Sequence, residues 1–152
     1  MGFFRTKEIV MSNKRFKPLF DKMTLIIWLP TSVLLLAATV VSLFEPLSLL
    51  IMVPVDLFTF YFLISPFFGY AELREESVFI KFGLITKREI PYAKIRGVTK
   101  ERKFYSDSMA SLKNALEHVN IKYNTFDIVS VSVVDNDGFI EELNTRRRAK
   151  TL

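Results

Sequence analysis

Two stretches decide the architecture: MTLIIWLPTSVLLLAATVVSLF, residues 23–44, and LSLLIMVPVDLFTFYFLISPFFGYA, residues 47–71. The first carries no charge, and the second carries only Asp56. About 20 apolar residues in a helix cross ~30 Å of hydrocarbon, so each stretch is long enough to span once. The spacing predicts spans over 23–44 and 47–70. Glu45-Pro46 between them is polar and helix-breaking, which suits a tight turn. A secretory signal is the rival reading of the first stretch, because residues 1–22 are basic. Its apolar core is too long for one, and a second span follows at once.

Charge sets the orientation. Arg5, Lys7, Lys14, Arg15, Lys17 and Lys22 precede the first span, against Glu8 and Asp21. The turn at Glu45-Pro46 has no Lys or Arg, and Arg74, Lys81, Lys87 and Arg88 follow the second span. Lys and Arg beside a span stay cytoplasmic. Both ends therefore read as cytoplasmic and joined by a membrane hairpin in the cell membrane. Four prolines (Pro30, Pro46, Pro54, Pro66) keep a second layout open, with one true span and the other stretch buried or interfacial. That layout puts a basic N-terminus outside. Within the predicted tail, 1–22, Phe3, Phe4, Phe16, Leu19 and Phe20 interleave with basic residues. This composition suits a segment lying on an anionic leaflet, or a short cytoplasmic helix that only enforces orientation.

The rest of the composition excludes more than it assigns. The chain has 152 residues, no Cys and one His, with 21 Lys+Arg against 16 Asp+Glu. That removes disulfides, thiolate chemistry and multi-histidine metal sites. The five glycines form no phosphate-binding loop, and hydrolase and kinase motifs are missing. No cofactor is expected. Residues 71–152 hold 15 basic and 12 acidic residues, too even a balance for a nucleic-acid partner without a binding motif. His118 beside Glu117 has no nucleophile or metal partner in sequence, and reads as a surface or half-buried residue rather than a catalytic one. No enzyme is expected.

Beyond residue 70 the pattern changes to strands. Ser77–Phe82 alternates, Gly83 turns the chain, and Leu84–Ile90 runs back as a hairpin ended by Pro91. Ile95–Arg102, Val119–Tyr123 and Asp127–Val134 read as further strands, with a turn at Asn124-Thr125. Tyr105–Ala115 reads as a loop or short helix. Phe139, Ile140 and Leu143 share a helix face, with Asp135 or Asp137 as N-cap and Arg146, Arg147, Arg148 and Lys150 late, where they complement the dipole. The expected fold class is α+β and membrane-anchored: a helical hairpin, then an antiparallel sheet closed by a C-terminal helix.

In order, Val78–Gly83, Ile90-Pro91-Tyr92-Ala93-Lys94-Ile95-Arg96-Gly97-Val98, Ala110-Ser111-Leu112, Val119-Asn120-Ile121-Lys122-Tyr123 and Phe139-Ile140-Glu141-Glu142-Leu143 resemble the bacterial pleckstrin-homology-like (PH-like) domains, in particular the YyaB-like group. The resemblance covers about residues 71–146, and a domain over 71–148 is expected. It departs from that pattern between Ser111 and Val119, which is longer, and at Val133-Val134-Asp135, which replaces a Ser-Pro. The resemblance implies a seven-stranded bent sheet capped by one helix, and no enzymatic activity. It also implies a role known among small membrane-anchored members, self-immunity of a Gram-positive producer to a sublancin-type antimicrobial peptide.

Two sets of site residues follow. Asp56, near mid-membrane, costs about 2.5–3.5 kcal/mol to insert and is a functional candidate by default. Antiparallel geometry places it near the depth of Thr31, Ser32 and Leu35. It is either a contact for the peptide or its membrane target, beside Phe58, Phe60, Tyr61 and Phe62, or a polar clasp holding the hairpin together. The other set is Lys94, Arg96, Lys100 and Arg102. Equal parity along an extended segment puts them on one face, as a patch for anionic lipid or a protein partner, or simply as a solvated strand face. The partners expected are the lipid bilayer and an antimicrobial peptide or its target.

Overall fold

The computed structural model describes residues 12–108 and 111–151. Phe3, Phe4, Arg5, Lys7, Glu8 and Ala110 lie outside the described residues. Helix α1 (Lys22–Ser42) starts where the Asp21 carboxylate accepts the Thr24 amide at 3.1 Å, as an N-cap. Its hydroxyls fold back onto its own carbonyls: Thr31 on Ile27 at 2.7 Å and Ser32 on Trp28 at 2.8 Å. This removes unpaired donors from an apolar helix surface. Helix α2 (Pro46–Ile64) opens with proline at its first turn, where the missing N–H costs nothing. Pro66 has no N–H to continue the helical ladder. The chain tightens into a 3-10 turn at Ser65–Phe68 and enters a strand at Tyr70. Helix α2 is thus shorter than the apolar stretch. Thr24–Ser42 and Pro46–Phe68 are long and apolar enough to cross a membrane, and neither is covered by the rest of the fold.

Among the described residues, eight strands form two four-stranded sheets. In the first, β1 (Lys14–Phe16), β2 (Tyr70–Leu73), β3 (Ser77–Lys81) and β4 (Lys87–Pro91) lie side by side and antiparallel. The second has the order β5 (Ile95–Arg102), β7 (Glu117–Tyr123), β8 (Asp127–Val131) and β6 (Ser111–Leu112). Seven strands follow the hairpin. They are antiparallel except β6, which runs parallel to β8. Alternation places Ala71, Leu73, Val78, Ile80, Ile121 and Val129 in one core. Helix α3 (Asn136–Thr151) closes it with Phe139 and Leu143. Asp135 caps α3 by accepting the Gly138 amide at 2.8 Å.

Two boundaries shift from expectation. Strand β4 begins at Lys87 because Phe82 donates to the Thr86 carbonyl at 2.9 Å and closes a turn over 82–86. Gly83 is required there, since a Cβ would collide with the Ser65 side chain. Strand β8 stops at Val131, because Val133 and Val134 leave it to meet the N-terminal segment. At the β7–β8 turn Asn124 takes φ 48°, a left-handed conformation that Asn tolerates.

The largest departure concerns the tail. Residues Lys14–Phe16 are neither a leaflet-bound segment nor a helix but the edge strand β1, paired Lys14 to Leu73 and Phe16 to Ala71. Phe16 is 8% exposed and meets Phe139 edge-on at 5.1 Å. Leu19 then donates to Ser132 at 2.9 Å, and Val134 donates to Lys17 at 3.1 Å. The helical hairpin is therefore an insertion between two adjacent strands of one sheet, and its two ends meet on the same side.

Arg146 locks this arrangement. It is 3% exposed and donates to the carbonyls of Leu73 and Arg74 at 3.1 Å and of Ser12 at 2.8 Å, and to Glu142 at 2.9 Å. It is a structural clamp and not part of a surface basic cluster.

The domain has two poles. At the near pole, beside the hairpin, Leu116 donates to Asp21 at 2.7 Å, Thr24 donates to the Asn114 carbonyl, and Leu84 donates to the Ser65 hydroxyl at 3.2 Å. Strands β5 and β7 run from there, with Arg102 opposite Glu117, to the far pole, where Ile95 faces Tyr123.

Candidate functional site

Asp56 sits between the two helices. Thr39 Oγ1 lies 2.6 Å from Asp56 Oδ2 and 3.0 Å from the Leu35 carbonyl, so one hydroxyl proton is shared between two acceptors. Asp56 Oδ1 is buried without a hydrogen-bond partner. Thr31 and Ser32, expected at its depth, spend their hydroxyls on their own helix. The partner is Thr39, four residues or about one turn beyond Leu35. Counting outward from Glu45-Pro46 misses this partner because helical side chains lean toward their own N-terminus: in the antiparallel hairpin Thr39 leans away from the turn and Asp56 leans toward it, and the two meet. Asp56 opens onto an apolar groove of about 400 Å³ lined by Ser32, Leu35, Thr39, Phe60 and Leu63. The unpaired Oδ1 is buried beneath this groove, and a polar atom without a partner in apolar surroundings is costly to keep. Of the aromatics beside it, Phe58 and Phe62 pack on each other at 4.7 Å and are mostly exposed on the helix surface.

The four basic residues do not form one face. Lys94 lies on a 3-10 turn (Tyr92–Lys94) and Arg96 on a β-bulge, where the pairing jumps between Ile95 and Gly97. A bulge resets parity, so equal spacing in sequence does not survive into the strand. Lys100 points toward α3 and is held by Asp137 at 2.9 Å and Glu117 at 3.8 Å. Its ammonium pKa is raised above the ordinary lysine value, chiefly by the hydrogen bond to Asp137. Arg102 is exposed at the near pole. An eight-residue strand separates the two ends by roughly 23 Å.

A different basic site forms at the far pole. Arg96, Arg147, Arg148 and Lys150 surround Tyr92 in an open cleft of about 650 Å³ between β5 and the last turns of α3. Lys150 also reaches Glu76 at 3.6 Å. Tyr92 is 2% exposed and donates to the Arg74 carbonyl at 2.7 Å, and burial pushes its phenol pKa up. The run Arg146–Arg148 was the sequence signal for this cleft. It did not reveal that Arg146 turns inward while its neighbours line the surface, nor that Arg96 joins them from another element.

His118 is fully buried, contrary to its expected exposure. Ser106, Asp107 and Leu116 bond to its face of the second sheet, at Ser130, Asn120 and His118. Its Nδ1 lies 3.0 Å from the Leu116 carbonyl, and its Nε2 has no partner. Beside it Ser130 donates to Asn120 at 2.6 Å, and Asn120 donates to Asp107 at 3.1 Å. Among the described residues no group of three or more His, Asp or Glu is placed to hold a metal.

Residues 70–147 match the sequence profile of a family described as the bacterial PH domain. No curated protein matches, and no solved structure matches. The match begins at β2 and ends within α3, so it excludes β1 and the hairpin.

Proposed function

The chain belongs to the bacterial PH domain family, and on that premise we propose that it is a non-enzymatic, membrane-held binding module. It gives its producer self-immunity to an antimicrobial peptide of the sublancin type, by holding the peptide or shielding its membrane target. The observation that carries this reading is Asp56, with one oxygen unpaired beside an apolar groove. A bound segment that presents a donor at that depth would satisfy it. The hairpin lies in the cell membrane with the sheet domain and N-terminus cytoplasmic. That placement is supported by the pairing of β1 with β2 across the insertion and by the flanking basic residues. The test is growth inhibition. A sensitive Gram-positive host expressing the chain is challenged with sublancin and unrelated bacteriocins. Selective survival is expected, and it should fall with Asp56→Asn at equal protein level. Equal sensitivity to every peptide, with the protein confirmed in the membrane, refutes the immunity reading.

A second reading is favoured by the far-pole cleft. Arg96, Arg147, Arg148 and Lys150 face away from the hairpin, so a membrane scaffold would present them to an acidic protein partner in the cytoplasm rather than to its own bilayer. Affinity capture with the full chain in nanodiscs, compared with Arg96→Glu/Arg148→Glu, tests it. A partner retained equally by both rejects the cleft.

A further inference from the structure

The hairpin is too short to cross a bilayer if the sheet domain stands clear of it. Thr24–Ser42 is 19 residues, about 28 Å of helix, which matches a hydrocarbon thickness of ~30 Å only if nearly all of it is immersed. Yet parts of the sheet domain lie alongside the first turns. Phe104, Lys113 and Asn114 share a crevice with Thr24, Ile27 and Trp28 of α1. Trp28 is six residues beyond the start of α1, roughly 9 Å along the axis. On the other side, the Leu84 amide bonds to Ser65 at the end of α2, and Ile64 and Phe67 share a pocket with Trp28. If these loops stayed outside the hydrocarbon, only Leu29–Ser42 would remain, about 21 Å.

The side chains at this level resolve the conflict. Leu84 and Ile85 on the β3–β4 turn are 43% and 76% exposed, Phe104 and Tyr105 after β5 are 65% and 62%, and Phe67 and Phe68 below α2 are 63% and 52%. They come from three separate segments and meet at the near pole. Lys81 and Lys87 flank them, with stems long enough to carry an ammonium to a headgroup, while Lys103 is held by Glu101 at 2.6 Å and Asp107 at 3.4 Å. At the far pole the exposed aromatic is Phe126, on the β7–β8 turn. We propose that the near pole is a membrane seat. The β3–β4 turn, the loop after β5 and the Ser65–Phe68 turn are sunk in the headgroup–acyl boundary of the bilayer that holds the hairpin, and the sheet domain is fixed on the membrane rather than tethered above it.

This rests on the hairpin spanning the membrane, and the experiment separates the two. The chain has no Cys, so single labels are introduced without background. Ile85→Cys, Phe104→Cys, Phe126→Cys and Leu36→Cys are each labelled with an environment-sensitive fluorophore, in the full chain reconstituted into phosphatidylcholine/phosphatidylglycerol vesicles. Quenching is read with iodide and with lipids spin-labelled at shallow and deep positions. Labels at 85 and 104 are expected to be blue-shifted and quenched by the shallow lipid label and not by iodide. The label at 126 should respond only to iodide, and that at 36 to the deep lipid label. Iodide quenching at 85 and 104 equal to that at 126, with 36 still quenched from the lipid, overturns the seat and leaves the hairpin standing. A label at 36 that responds to iodide alone overturns both. As a second measure, Leu84→Asp/Ile85→Asp is expected to restore iodide quenching at a label on 104. No change there counts against the seat.

Discussion

Phe16→Ala tests whether residues before the hairpin belong to the sheet domain. Phe16 is 8% exposed, with its ring against Phe139. A buried phenylalanine removes about 200 Å² from water, worth at most about 5 kcal/mol at 25 cal/mol/Å². Alanine retains part of that area, and the cavity it leaves adds to the cost, so a loss of about 3–4 kcal/mol is expected. Hydrogen exchange on the full chain in vesicles reads this locally. Each 1.4 kcal/mol is a factor of ten, so protection at Ala71, Leu73, Val78 and Ile80 should fall by at least about a hundredfold. Their slowest exchange proceeds through opening of the core that Phe16 seals. If Lys14–Phe16 lay on the leaflet instead, those amides would be unchanged and only membrane affinity of the tail would drop. Unchanged protection at β2 and β3 would refute the reasoning.

Three further outcomes are expected. Arg146→Met leaves the Leu73 and Ser12 carbonyls without their donor and should cost about 3 kcal/mol, read as lost protection of β2 and faster proteolysis near Ser12. Glu142 has its carboxyl pKa held below the ordinary value, chiefly by the hydrogen bond from Arg146. The stability it contributes is complete above that ordinary value and disappears as pH falls through the lower folded one; Glu142→Gln should flatten this acid-side loss in a pH series of urea midpoints, and an identical slope rejects the linkage. Thr39→Val removes the hydroxyl facing Asp56 and should loosen the hairpin by about 0.6–2 kcal/mol, seen as weaker cross-linking between cysteines placed in α1 and α2; unaltered cross-linking shows that the bond holds nothing.

Features with a repeated signal were readable from sequence. The hairpin follows from some forty nearly uncharged residues. Strands β3, β5, β7 and α3 follow from period-two and helical spacing. What escaped depended on distant partners. Lys-Arg-Phe is too short for any periodicity, and its partner strand lies beyond both helices, so β1 reads as a basic tail. His118 is buried by a loop whose path no local pattern encodes. The parity argument for Lys94, Arg96, Lys100 and Arg102 assumed a regular strand, and the bulge at Arg96 broke it. The far-pole cleft needed a bulge residue and a helix end to meet across the fold.

If the hairpin spans a bilayer as proposed, its place between β1 and β2 makes assembly of the sheet a checkpoint on membrane insertion. Strand β1 is synthesised before either helix, and its partner only after both. The two can pair only if the chain has crossed the bilayer an even number of times. A molecule that inserts one helix and leaves the other behind strands Phe16 on the wrong side, with an open sheet edge and an uncovered Phe139. Such a product offers proteases an unfinished core. On the proposed topology, correct insertion would thereby be converted into resistance to degradation, and the fold itself would proofread the count of membrane crossings.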